Sequence, residues 1–289
     1  MHLSFLSPLA ALIGLVAVVP LAALAIVRER ARRARAALGL PEPGRAAEAV
    51  VPAALCGIAV LVAVAAAQPI LRNRHTQQVR TDAEAWILLD TSRSMLARRG
   101  IAGPSRLARA KVFASRLRDA LGGVPVGIAS LTDRALPHLF PSPDVDAFDA
   151  TLRGAIGIER PPPSQFLRTR VSTLIPLADL RTANFYEPGD TRRLLIVLTD
   201  GESQPFSPEK VGRVLAAPPR IDTILVQFWN PDERVYTGGK PEAGYRPDPS
   251  SGTTLKGLAA ASGGAAYGES KLGAVVAQAR RDLGRGPTR

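Results

Sequence analysis

Residues 85–95 read AWILLDTSRSM. The run Trp86-Ile87-Leu88-Leu89 is apolar on both faces, as a central strand must be when helices cover a parallel sheet on both sides. Asp90, Thr91, Ser92, Arg93 and Ser94 follow at its carboxyl end, the end where loops of an open parallel sheet converge and ligands gather. A second stretch repeats the pattern at 194–203, LLIVLTDGES, where Asp200 directly follows an apolar strand and Gly201, Glu202 and Ser203 come next.

Outward from these two points, short apolar runs alternate with helical periodicity, the signature of a doubly wound, mostly parallel α/β sheet of Rossmann-like type. Strands are expected at Ala85 to Leu89, Val124 to Leu131, Leu194 to Thr199 and Ile221 to Phe228, with weaker ones at Leu136 to Phe140 and Ala265 to Tyr267. Helices are expected at Arg106 to Leu121, Val145 to Ile156, Leu174 to Asn184, Pro208 to Ala216, Thr254 to Ala261 and Leu272 to Leu283. Two segments fall outside the rhythm. One is Gly157 to Ser172, with prolines at 161 to 163; the other is the polar stretch Trp229 to Thr253, with Tyr236, Tyr245, Arg234, Lys240 and Arg246. Loops this long in a compact domain are often functional, and if the strand Ile221 to Phe228 runs parallel to those ending at Leu89 and Thr199, the second opens on the edge that carries Asp90 and Asp200. It is expected to help choose a partner, the plain alternative being a mobile surface loop.

The chemistry of that edge follows from residue type. Asp90, Ser92 and Ser94 at i, i+2 and i+4 can turn three oxygens inward from one extended loop, and Asp200 adds a second carboxylate. Such a set is made of hard oxygen ligands, which suits Mg²⁺ or Ca²⁺ and not zinc. Each motif alone also fits a helix cap or a plain turn. The two together, each ending an apolar strand and about 110 residues apart, are much more specific.

The motifs D-x-S-x-S-M at Asp90 to Met95 and L-T-D-G-E at Leu198 to Glu202 resemble the metal-ion-dependent adhesion site of von Willebrand factor A-type domains, over roughly residues 82 to 284. That resemblance implies Ser92 and Ser94 as direct ligands, with Asp90 and Asp200 binding directly or through water. It adds a threonine from a third loop. Ser172-Thr173-Leu174-Ile175-Pro176-Leu177-Ala178 is the best match, making Thr173 the candidate, with Thr169 as the alternative and a helix cap as the plain reading. The implied cofactor is Mg²⁺, or Ca²⁺ or Mn²⁺. The implied function is metal-dependent protein binding, in which the ion accepts an acidic side chain from a partner; a metal-independent scaffold or adhesion-like protein is the alternative.

The first 80 residues read differently. Residues 9–27 and 50–71 are 19 and 22 residues without a charge, each able to cross a bilayer core of about 30 Å as a helix. The domain division expected is therefore a membrane hairpin over 1–80 and the A-type domain over 81–289. Arg28, Arg30, Arg32, Arg33, Arg35 and Arg45 lie between the runs, and the positive-inside tendency places that loop, 28–49, in the cytoplasm and the soluble domain on the outer side of the membrane. A hairpin followed by an A-type domain resembles the bacterial Bat-type proteins and the related subunit of methanol dehydrogenase maturation operons. That arrangement implies a MoxR-type AAA+ ATPase as partner and a role in assembling or maturing an extracytoplasmic complex.

Composition excludes several alternatives. The net charge of +12 invites a nucleic-acid reading, but nine arginines against three glutamates in residues 1–80 hold half of it, and the rest of the chain is a mixed surface with no basic tract. Cys56 is the single cysteine and supports no intrachain disulfide. A serine hydrolase would need a histidine, and His2, His75 and His138 come with no G-x-S-x-G elbow. Ser92 stands where an aspartyl phosphotransferase needs a second carboxylate, and Gly238-Gly239-Lys240 runs into proline, so no phosphate-binding loop forms. A catalytic role is not expected.

Overall fold

A computed structural model describes residues 2–39, 45–72, 78–160, 162 and 173–289. The chain divides into two compact units, Met1–Thr76 and Gln77–Arg289.

In the first unit, strand β1 (His2–Phe5) leads into a 3-10 helix at Pro8–Ala17 and then α1 (Val18–Leu38); α2 (Arg45–Ala67) is followed by β2 (Pro69–Arg72). β1 and β2 pair antiparallel, His2 opposite Arg72 and Phe5 opposite Pro69. Both helical stretches, Leu9–Leu38 and Ala49–Ala67, are long and apolar enough to cross a membrane. Side chains such as Leu12, Val19, Ile58 and Leu61 are exposed, as lipid-facing residues are. The Ala49–Ala67 stretch, at about 1.5 Å per residue, reaches roughly 28 Å, close to the thickness of a hydrocarbon core. The two stretches pack closely at Gly14, where a Cβ would come within 3.0 Å of Ala63 Cβ; small residues permit such approach between membrane helices.

Three details differ from the sequence reading. The second span stops at Ala67, not residue 71, because Gln68 takes a left-handed φ of 49° and the chain turns into β2. The second helix begins at Arg45, ahead of residue 50, so Pro52 lies inside α2. Much of the basic segment 28–49 is itself helical, as α1 runs on to Leu38.

The second unit is built on a six-stranded sheet. Its strands are β3 (Ala83–Asp90), β4 (Val126–Leu131), β5 (Ala135–Ser142), β6 (Arg192–Thr199), β7 (Asp222–Gln227) and β10 (Ala265–Gly268), with the small hairpin β8 (Tyr236–Thr237) and β9 (Lys240–Pro241) outside it. The order across the sheet is β10-β7-β6-β3-β4-β5. All neighbours are parallel except β5, which runs antiparallel to β4 at one edge. Pro137 and Pro141 sit in β5, an edge strand being where proline does least harm to a ladder.

Side chains alternate across β3. Ala85, Ile87 and Leu89 enter a core shared with Leu107, Phe113, Leu117, Phe148 and Val275, so α3 (Arg106–Leu121), α4 (Val145–Gly154) and α7 (Leu272–Leu283) cover that face. Trp86 and Leu88 enter a second core with Leu177, Leu180, Val211, Leu215, Leu255 and Leu258. That face is covered by α5 (Pro208–Ala216), α6 (Ser251–Ser262) and a 3-10 helix at Ile175–Arg181. The Trp86 indole donates to Phe185 O at 2.7 Å, which satisfies its one polar atom in the core. Side chains cap two helix starts: Ser105 Oγ accepts from the Ala108 amide at 3.1 Å and Asp144 Oδ1 from Ala147 at 3.0 Å.

Strand and helix ends shift by a few residues, and one segment differs in kind. The helix expected over 174–184 is a 3-10 helix of seven residues with Pro176 in its first turn, and the chain leaves it before Asn184, whose φ is 53°. The helix expected from Thr254 begins at Ser251 and ends at Gly263 in the left-handed conformation, which frees it from a Cβ penalty.

Candidate metal centre

The chain reverses its direction of winding at β3, which pairs with β4 on one side and β6 on the other. A crevice opens at such a switch point, outside the carboxyl ends of the strands. Register sets Leu89 of β3 opposite Leu198 of β6, so the residues that follow, Asp90 and Thr199-Asp200, meet across adjacent strand ends.

Asp90 is 1% exposed and Asp200 0%. Asp90 Oδ1 accepts the Ser92 amide at 2.9 Å, and its Oδ2 accepts the Thr199 hydroxyl at 2.6 Å. Both donors are neutral. Ser92 Oγ and Ser94 Oγ lie 2.9 Å apart; the two hydroxyls meet across the start of a 3-10 helix at Arg93–Leu96, not along the extended loop expected. Asp200 is held differently: its Oδ1 accepts the Glu202 amide at 2.9 Å, and its Oδ2 accepts Arg106 Nη1 at 2.9 Å. Burial, and then the charge of Asp200, push the Asp90 carboxyl up to about 7, against the pull of Ser92 and Thr199. Asp200 is also raised by burial, which Arg106 offsets.

These facts test whether a divalent cation suits the residues present. Two buried carboxylates face one another and one of them has only neutral donors. Two hydroxyl oxygens are already gathered beside them. A hard dication would relieve the repulsion between the carboxylates and find oxygen ligands only. Among the described residues no group of three or more His, Cys, Asp or Glu has metal-holding geometry. A set of two carboxylates and hydroxyls therefore rests on the serines as much as on the acids.

The third loop arrives at the same edge. Thr173 donates its amide to Thr132 O at 3.1 Å, just past β4, and the Leu174 amide donates to Ser203 Oγ at 3.1 Å, in the loop after β6. The Thr173 hydroxyl accepts the Ile175 amide at 3.2 Å, which is the capping role open to it from sequence. Thr169 lies outside the described residues, as does most of the proline-rich segment; its described start returns to the site, where the Glu159 amide donates to Thr91 O at 2.7 Å.

Several residues that shape the site were not singled out by sequence. Arg106 is fully buried at the first position of α3. Its Nη1 donates to Asp200 and, at 2.8 Å, to Glu202 Oε1, while its Nε donates to Glu233 Oε2 at 2.7 Å. Burial disfavours its charge, but Asp200 and Glu202 outweigh burial and hold the guanidinium protonated. Arg109 joins Glu233 at 2.6 Å and Glu269 at 2.7 Å. One signal was present: Arg106 falls on the helical stripe of Ala110, Phe113, Ala114, Leu117 and Leu121, all buried, and an arginine on an apolar stripe needs a buried counter-charge.

The segment after β7 is not a loose surface loop. Arg98 and Arg234 exchange backbone hydrogen bonds at 3.0 Å in both directions, Arg93 pairs with Glu242, and the Arg98 guanidinium lies 5.6 Å from the Tyr236 ring centre. Tyr245 faces the site, whereas Lys240 and Arg246 are exposed. Together with the first two loops this segment encloses a cleft of about 420 Å³ lined by Ser92, Ser94, Glu202, Val235, Glu242 and Tyr245, among others.

No family model matches the chain, and no curated protein matches it in sequence. Among solved structures it is similar to a conserved hypothetical protein, BatB from Bacteroides thetaiotaomicron, at 22% identity and a TM-score of 0.56, over 69% of this chain and 98% of that one. It is also similar to an aerotolerance-related membrane protein from Bacteroides fragilis NCTC 9343 with multiple mutations to serines, at 20% identity and a TM-score of 0.55, over 70% of this chain and 98% of that one. At such identity the likeness establishes the fold: a von Willebrand factor A-type α/β sheet.

Proposed function

We propose that this chain is a membrane-anchored protein-binding module whose contact with its partner runs through a divalent cation, Mg²⁺ or a similar hard ion, at Asp90, Ser92, Ser94, Thr173 and Asp200. The observation that carries the reading is the pairing of buried Asp90 and Asp200 beside the Ser92 and Ser94 hydroxyls, 2.9 Å apart, at the switch point of the sheet. Bound there, the ion would supply an electrophilic centre able to accept a carboxylate from a partner. Asp90 would hold it with a charge that neutral donors leave uncompensated, and Ser92 and Ser94 with neutral oxygens that preserve its electrophilicity. The cleft under Tyr245 and Glu242 gives the partner a bounded place to enter.

The two apolar helical stretches support anchoring in a bilayer, and the description of the B. fragilis neighbour as a membrane protein agrees with it. The arginines between the spans favour an extracytoplasmic soluble unit. The Bat-type resemblance makes a MoxR-type AAA+ ATPase the working partner, in assembly or maturation of an extracytoplasmic complex. A metal-independent scaffold is the competing reading, and Arg106, which already compensates Asp200, is what favours it.

Calorimetric titration of Mg²⁺ into the purified full chain decides between them. Binding that Asp90→Ala abolishes is the expected result. Undiminished binding in that variant would remove the ligand set, and no binding to the wild-type chain would favour the scaffold.

A further inference from the structure

Glu202 stands two residues beyond Asp200 and accepts from four donors. Arg106 Nη1 lies at 2.8 Å, the Trp229 indole Nε1 at 3.0 Å, the Tyr245 hydroxyl at 3.0 and 3.1 Å from its two oxygens, and the Asp248 amide at 3.3 Å. Three of the four come from the segment after β7. That segment has little apolar anchorage of its own: between Pro231 and Ser250 only Val235, 1% exposed, is a buried hydrophobic side chain. Polar contacts therefore hold most of it, and Glu202 gathers more of them than any other side chain there. Its ties in the other direction go to the candidate metal loop. Asp200 Oδ1 accepts the Glu202 amide, and Asp200 Oδ2 shares Arg106 Nη1 with Glu202 Oε1.

We propose that Glu202 is a positioning residue that fastens Trp229 to Asp248 onto the Asp200 loop as a preformed wall of the binding cleft and, through Arg106, links the order of that wall to the cation. The second half rests on the cation reading; the first does not. The physical reason for the link is shared bonding. A dication that draws on Asp200 weakens its hold on Arg106 Nη1, which leaves the guanidinium to Glu202 and tightens the carboxylate that holds the wall. Whatever factor the ion contributes to wall order, an ordered wall returns to ion affinity.

The test uses the full chain in detergent micelles, with Glu202→Gln and Tyr245→Phe as variants. The first removes the charge that attracts all four donors; the second removes one hydroxyl at the far end and leaves every charge in place. Hydrogen exchange across 229–248 should accelerate at least about tenfold in Glu202→Gln and a few-fold in Tyr245→Phe, with exchange in β3 and β6 unchanged. Exchange within twofold of wild type in both variants would overturn the positioning role. Trp229 reports the link, since Trp86, the only other tryptophan, is sealed in the core. Mg²⁺ should change wild-type emission, Trp229→Phe should abolish the change, and Glu202→Gln should lose it while still binding Mg²⁺ within about tenfold by calorimetry. Heat of Mg²⁺ binding without any change in Trp229 emission would overturn the link. Absence of Mg²⁺ binding, with exchange still accelerated in Glu202→Gln, would overturn the cation reading and uphold the wall.

Discussion

Replacing Arg106 with methionine keeps most of the buried stem and removes the charge. Three carboxylates lose the guanidinium: Asp200, Glu233 and Glu202, whose side chains are 0%, 2% and 11% exposed; Glu233 keeps Arg109 and Glu202 keeps its neutral donors. Each charge-assisted bond is worth about 1.5–3 kcal/mol, but the three share one guanidinium and the freed acids can take up protons, so the terms do not add. Removing one partner of a buried ion pair typically destabilises by about 3–5 kcal/mol, and that is the loss expected. For a unit of the size of Gln77–Arg289, about 2–4 °C of melting temperature accompanies each kcal/mol. The Gln77–Arg289 unit should therefore melt roughly 6–20 °C lower, followed by near-ultraviolet circular dichroism of the full chain in detergent. Two companion measurements identify the cause. Asp200→Asn in the Arg106→Met background should recover part of the loss, because the buried carboxylate that lost its guanidinium is then neutral. Saturating Mg²⁺ should raise the melting temperature of Arg106→Met more than that of wild type, since Asp200 is then freed for the ion; an ion at about 100 times its dissociation constant stabilises by about 2.7 kcal/mol. A metal-free Arg106→Met protein melting within about 2 °C of wild type would refute the reasoning, for it would mean that the three acids are not held as buried charges.

Stability should fall as pH rises from about 4.5 to about 7. Burial, with the charges of Asp190 and Glu187, raises Glu84 from 4.5 to about 7 in the folded chain, so the fold binds this proton more tightly than the unfolded chain does. The contribution is complete below the unfolded value and lost through the folded one; denaturant midpoints across this range should flatten in Glu84→Gln. Gly201→Ala should destabilise by about 1–3 kcal/mol and weaken Mg²⁺ binding, because Gly201 has φ 78° and a Cβ would sit 2.9 Å from Leu255; a calorimetric titration and a melt equal to wild type would contradict this. A reporter fused after Arg289 should be active only on the outer side of the membrane, and efficient labelling of that terminus from the cytoplasm would reverse the topology.

The parts of this protein that depend on periodicity are legible in its sequence. A strand apolar on both faces has to be central, so Trp86 to Leu89 and Leu194 to Thr199 announce a covered parallel sheet, and an acid directly after each is at its carboxyl edge. The serine spacing after Asp90 brings the two hydroxyls together through local geometry. The uncharged runs near the amino end locate two helices long and apolar enough to cross a membrane, though not the residues at which those helices stop. What the tertiary structure alone decided is which distant residues meet at that edge. Arg106 reaches Asp200 across 94 positions and Glu233 across 127, and Thr199 meets Asp90 across 109. Nothing in the local pattern of Trp229 to Thr253 distinguishes a solvated loop from one fastened to a carboxylate 27 to 46 residues earlier. Nor could the sequence say whether Thr173 serves an ion or caps Ile175, because both use the same hydroxyl in the same loop. Periodic patterns encode burial, which the backbone repeats; charge pairing at a strand edge depends on the close approach of segments remote in the chain, and only the packed fold specifies that.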